Sequence, residues 1–117
     1  MSDDKIEVVH SSSSGTIGRA FNEGHGVRIP LDSSSRPQPD TLTNSEAFLG
    51  AISSCGVTLI EMHAKETGVP LARMDVTIEG TRLAAEQTRY ARIALAFRLA
   101  GVDQEQAEAL VEVWRGR

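Results

Sequence analysis

The stretch TNSEAFLGAISSCGVTLIEMHAKE, Thr43 to Glu66, decides the fold of this chain. Thr43 can accept from the free amides of a first helical turn. Glu46, three residues on, can reach back to the Thr43 amide, which is capping-box spacing. From Ala47 to Ile60 the chain is almost entirely apolar or small. Phe48, Ile52, Cys55 and Leu59 recur on one helical face. Leu49, Ala51 and Val57 widen that face, and Gly50 and Gly56 leave room for another backbone to pass close. Charge returns at Glu61, Lys65 and Glu66, and Gly68-Val69-Pro70 stops the helix. The spacing predicts a central helix over 43–67. Its nearly all-round apolarity predicts burial, with the single cysteine, Cys55, on a buried or half-buried face.

Working outward, composition sets bounds. A length of 117 residues fits one domain near the size at which oligomerisation helps to cover a core. With 40% hydrophobic and 24% charged residues the chain is globular rather than disordered. A net charge of −4 without any basic run argues against a nucleic-acid surface, and 4% aromatics leave few stacking platforms. One cysteine makes no intrachain disulfide, which suits a reducing cytoplasm. The N-terminus, MSDDKIEVV, lacks the basic and apolar regions of a signal peptide. The apolar stretch from Ala47 is short for a membrane span and carries Ser53, Ser54 and Thr58. His10, His25 and His63 are scattered, so no metal-ligand spacing exists and no cofactor is implied. The expectation is a soluble cytoplasmic protein without membrane or nucleic-acid partners.

Before the helix, N-terminal strands fall within 5–31. KIEVV, Lys5 to Val9, is a strand candidate, and His10 to Gly15 is a loop or its polar continuation. TIGRAF, Thr16 to Phe21, and GVRIPL, Gly26 to Leu31, form a hairpin around the turn Asn22 to Gly26. Residues 32–42, DSSSRPQPDTL, form a connector with no periodicity, the kind of long loop that is functional or mobile. After the helix, a strand hairpin spans 72–99. Met74, Val76 and Ile78 alternate with Asp75, Thr77 and Glu79, and Ile93, Leu95 and Phe97 share one side of the second strand. Leu83 to Thr88 between them is a turn or a short helical piece. A second helix over 103–116 opens on Asp103 and Gln106 at capping-box spacing. It carries the stripe Ala107, Leu110, Val111 and Trp114 and ends on arginines. Strands, long helix, strands, helix is an α+β fold with helices on antiparallel sheet.

Four segments together carry a resemblance. They are TNSEAFLGAISSCGVTLIEMHAKETGVPL, then DVTIEG, then FRLAG, then DQEQAEAL. The chain from Gly15 to Trp114 resembles the OsmC/Ohr family, most specifically at Ser45-Glu46 to Cys55 and from Gly68-Val69-Pro70 through Gly80. The resemblance implies an OsmC-like α+β fold and an intertwined homodimer. It also implies a thiol peroxidase that reduces organic hydroperoxides. In that chemistry a cysteine thiolate becomes a sulfenic acid, a second cysteine resolves it, and a dithiol re-reduces the pair. By resemblance Cys55 matches the reactive cysteine and Glu46 the acidic residue at the helix start. Arg19, or else Arg28 on the next strand, matches the arginine that orients the thiolate.

The sequence departs from the family in two places. Neither arginine sits in the Gly-Gly-Arg context of the peroxidases. No Cys-Pro motif follows the second helix, so the chain is either truncated or without a resolving cysteine, and turnover then needs an external thiol. Physically, a free thiol of pKa about 8.5 is mostly protonated at neutral pH. A mid-helix position gains little from the helix terminus, so a neighbouring cation is required. His63, eight residues on and roughly 12 Å away at ~1.5 Å per residue, cannot supply it within one chain. Three readings stay open: a Cys55-dependent hydroperoxide reductase in oxidative stress defence, a non-catalytic OsmC-like dimer that binds a small apolar ligand or partner, with Cys55 as packing, or a purely structural helix-packing module of another fold. Glu46 likewise has a purely capping alternative, and each arginine that of an ordinary strand arginine.

Overall fold

Hydrogen-bonding neighbours in sequence build both sheets of this α+β chain. The computed structural model describes residues 4–116. Its elements are β1 (His10–Ser13), β2 (Arg19–Gly24), β3 (Val27–Asp32), α1 (Asn44–Thr67), β4 (Arg73–Thr81), β5 (Arg92–Ala100) and α2 (Gln104–Arg115). The chain divides between Phe48 and Leu49 into two compact units, so the division falls inside α1.

The first unit holds a three-stranded antiparallel sheet in the order β1-β2-β3. Gly24 pairs with Val27 across the β2–β3 hairpin, leaving His25 and Gly26 as a two-residue turn. Their φ values are 55° and 76°, the left-handed pair that matches the twist of the flanking strands. The strand expected over Lys5–Val9 is not formed. β1 lies instead on the polar run His10–Ser13, where Ser11 Oγ donates to Asn22 Oδ1 at 2.7 Å. Main-chain pairing to β2 selects that strand, and apolar alternation does not. The bypassed Ile6, Val8 and Val9 stay largely bare. β2 and β3 start one to three residues later than the apolar runs suggested, because the register is set by the His25-Gly26 turn.

The second unit pairs β4 and β5 as an antiparallel hairpin, from Arg73 opposite Ala100 to Thr81 opposite Arg92. Met74 is buried and Val76 and Ile78 half-buried, while Asp75, Thr77 and Glu79 are exposed, as the alternation predicts. Leu83 to Thr88 is turn rather than helix. α2 opens with the Asp103–Gln106 capping box fully formed. Leu110 is its buried residue, and Ala107, Val111 and Trp114 flank it half-buried. Arg117, one of the arginines expected at that helix end, lies outside the described residues.

α1 is long and apolar enough to cross a membrane by length and composition alone. Its buried residues are Gly56, Ile60 and Ala64, a stripe at four-residue steps. Ile60 and Ala64 form a core with Met74 and Leu110, and Val57, Phe97, Leu99 and Trp114 pack around it. Gly56 meets an indole rather than another backbone: a Cβ built there would stand 2.9 Å from Trp114 Cε2. The same indole makes an edge contact with Phe97, with ring centroids 5.6 Å apart. The Phe48–Ile52–Cys55–Leu59 stripe expected to be buried is therefore not the centre of the core in the second unit, although Val57, expected to widen that face, does pack there. An all-round apolar helix offers several stripes of the same period, and periodicity does not choose among them.

Gly56→Ala sets two effects against each other. Alanine gains up to ~1 kcal/mol of helix propensity, and overpacking against the indole costs about 1–3 kcal/mol. The expected outcome is a lower urea midpoint with an unchanged slope. In a Trp114→Leu background the same substitution should cost less than it does alone. An equal or higher midpoint for Gly56→Ala in the parent would show that the indole yields freely.

Candidate functional site

Cys55 sits in the middle of α1 and is exposed. It shares an exposed stripe with Phe48, Ala51, Thr58 and Met62, at alternating steps of three and four residues. The burial expected for Cys55 is thus not met. Ile52 and Leu59, the other members of its expected face, are half-buried. Gly56, one position on, points into the core, and the roughly 100° turn per residue carries Cys55 off that side. A groove between β5 and α2 is floored by Phe97, Leu99, Val102 and Val111, and Cys55 does not line it.

Glu46 forms the predicted cap. Its Oε1 accepts from the Thr43 amide at 2.9 Å, and its own amide donates to Thr43 Oγ1 at 3.2 Å. Along the same helix Glu46 and Cys55 are nine residues apart, roughly 13 Å on the axis at ~1.5 Å per residue.

Arg19, at the start of β2, is committed to two carboxylates. Its Nε donates to Asp32 Oδ1 at 2.7 Å and its Nη2 to Asp32 Oδ2 at 3.2 Å. Its Nη1 donates to Asp40 Oδ2 at 3.2 Å and its Nη2 to Asp40 Oδ1 at 2.5 Å. The Asp32 side chain has no exposed surface, whereas Asp40 is 67% exposed. Asp32 also accepts from the Gln38 amide at 3.0 Å. A buried carboxylate persists only when paired and hydrogen-bonded, and Asp32 has both conditions met. Hydrogen bonds from Arg19 hold the Asp32 and Asp40 carboxyls below the usual carboxylate range, and the two carboxylates raise the guanidinium in turn. Arg28 instead lies over the Phe21 ring, 3.9 Å from its centroid, a cation–π contact.

Neither Asp32 nor Asp40 stood out in the sequence. They lie 13 and 21 residues from Arg19 in a stretch without periodicity, and side-chain pairing at that distance leaves no local pattern. Among the described residues no group of three or more His, Cys, Asp or Glu stands together to hold a metal.

A family model described as OsmC-like protein matches residues 37–117. The chain belongs to the OsmC-like family. An OsmC-like protein from Mycoplasma pneumoniae superposes with a TM-score of 0.83 at 13% identity, covering 97% of this chain and 83% of that one. An organic hydroperoxide resistance protein from Legionella pneumophila gives 0.68 at 18% identity, with 96% and 83% covered. The organic hydroperoxide resistance protein OhrB of Bacillus subtilis gives 0.60 at 15% identity, with 96% and 84% covered. At these identities the structures share the fold. No curated protein matches the chain.

In this OsmC-like chain the acid limb of stability should report the Arg19 pairs. Both carboxyl pKa values are depressed in the folded state. Their contribution is therefore complete above the unfolded carboxylate value of about 3.9 and is lost as pH falls through the lower folded values. Urea midpoints across pH 2–7 should fall steeply below about pH 4. Asp32→Asn should start lower at pH 7 and show a flatter acid limb. Parallel limbs for parent and variant would show that these pairs do not govern acid stability.

Proposed function

We propose that this OsmC-like protein is a soluble, cytoplasmic, thiol-dependent organic hydroperoxide reductase of oxidative stress defence, acting as a homodimer with Cys55 as the attacking thiol. The observation that carries the reading is an exposed cysteine at mid-helix in a fold shared with organic hydroperoxide resistance proteins. The Cys55 thiolate attacks one oxygen of ROOH, and the O–O bond breaks. The alkoxide takes a proton and leaves as ROH, and Cys55 is left as a sulfenic acid. An external thiol then attacks the sulfenic sulfur, releasing water and forming a mixed disulfide. A second external thiol frees Cys55 and carries the disulfide away. A dithiol supplies both equivalents.

The homodimer accounts for two features. The first unit leaves Ile6, Val8, Val9, Ile17, Val27 and Ile29 between 49% and 82% exposed, and Phe48 and Met62 flank Cys55 at 54% and 57%. Apolar surface on that scale is what an interface between copies covers. Glu46 is also too far along α1 to orient the thiol of its own helix, and in the proposed homodimer a Glu46 of one copy can face the Cys55 of the other. Apolar flanks around the thiol favour a hydrophobic peroxide over hydrogen peroxide.

One observation favours the second reading, a non-catalytic dimer that binds an apolar ligand. The Arg19 guanidinium already serves two carboxylates, and a thiolate would have to compete with both.

The deciding experiment is the intact mass of the reduced protein before and after brief exposure to an organic hydroperoxide, with Cys55→Ser as control and sedimentation in parallel. Rapid gain of one oxygen, or of a trapped thiol adduct, in the parent alone supports the reductase, as does a particle of twice the chain mass. A dimer with no mass change at modest peroxide excess selects the ligand-binding reading. A monomer removes the account of the exposed apolar surface.

A further inference from the structure

From the geometry of the first unit we infer that Arg19 is the positioning residue for the start of α1, clasping the connector after β3 between a buried carboxylate, Asp32, and an exposed one, Asp40. The two arms differ in kind. Asp32 takes Nε and Nη2 side-on and is fully enclosed, so this arm is fixed. Asp40 takes the outer edge, Nη1 and Nη2, where water competes for it. A planar guanidinium serves two carboxylates at once in fixed directions, which an ammonium does not.

The clasp reaches the helix through short links. The Asp32 amide donates to the Leu42 carbonyl at 3.1 Å, and Asp32 and Thr43 form an isolated parallel bridge. Thr41 Oγ1 donates to the Pro30 carbonyl at 2.7 Å. Thr43, 7% exposed, is thereby set beside Asp32, and it is the residue that receives the Glu46 and Ala47 amides. The connector is also pinned at its near end. The Ser33 amide donates to the Gly18 carbonyl at 2.7 Å, and the Arg36 stem lies against Gly18. Residues 33–42, aperiodic in sequence, are therefore a tied loop whose far end is placed by a side chain of β2.

The test is amide hydrogen exchange on the full chain without any peroxide, so its result is independent of thiol chemistry. Asp40→Asn should accelerate exchange at Gln38, Glu46 and Ala47 by about tenfold or more and leave the β2–β3 amides around Asn22 and Ile29 unchanged. Arg19→Gln should act at the same amides. The double variant should be no worse than Arg19→Gln alone, and Arg19→Lys should recover part of the protection. If Arg19→Gln fails to fold, because Asp32 is then buried without a cation, Asp40→Asn and Arg19→Lys decide by the same amides. Unchanged exchange at Gln38, Glu46 and Ala47 in Asp40→Asn would overturn the inference. So would uniform acceleration across hairpin and connector, or additive effects in the double variant.

Discussion

A carboxylate with no exposed surface must be matched by a cation and by donors, and Asp32 obliges the first unit to arrange both. Arg19 comes from the neighbouring strand, directly opposite Asp32 in the β2–β3 register, so the hairpin itself delivers the guanidinium. The Gln38 amide comes from the connector, which must fold back to deliver it. The turn-set register and the path of the connector thus meet at one buried charge, and both are needed to satisfy it. The organising principle is saturation of hydrogen-bonding capacity, which is directional.

The second unit is organised by the opposite means. Ile60, Ala64, Met74 and Leu110 exclude water without a polar atom among their side chains, and glycine at 56 lets the Trp114 ring approach the helix backbone. Shape and volume decide here, and directionality matters little. α1 belongs to both regimes. Its first turn is fixed by the Thr43–Glu46 box next to the clasp, and its last turns by apolar packing. Cys55 lies within the second unit, off the stripe that its core buries.

The extent to which the sequence was legible follows from this division. Signals that act within a few residues were readable: both capping boxes, the alternation in β4, the α2 stripe and the stop after Thr67. The β1 strand was not, because a serine run has no apolar period and was chosen by its partner. The exposure of Cys55 was not, because α1 carries apolar residues on competing faces and the choice among them is made by distant partners, Met74, Leu110 and Trp114. The Arg19 clasp was least legible. Its members are ordinary charged residues far apart in the chain, and the family resemblance directed attention to Arg19 for another role. What the resemblance supplied was the OsmC-like form of the α+β fold and the proposed roles of Cys55, Glu46 and Arg19 or Arg28. What the structure added is the exposure of Cys55, the capping bonds of Glu46, the two carboxylates held by Arg19 and the ring under Arg28.

The strand order carries a consequence for how the chain is made. Among the described residues each sheet joins strands adjacent in sequence, with no crossover. Everything the clasp needs, from Arg19 to Asp40, is present once Asp40 has emerged from the ribosome. A low separation between contacting residues favours rapid closure. The topology therefore permits β1-β2-β3 and its ion pairs to form during synthesis, before Trp114 exists to cover Gly56. Vectorial production would give the long apolar helix a fixed starting point as it emerges, at the stage when an unpartnered apolar segment is most prone to aggregate.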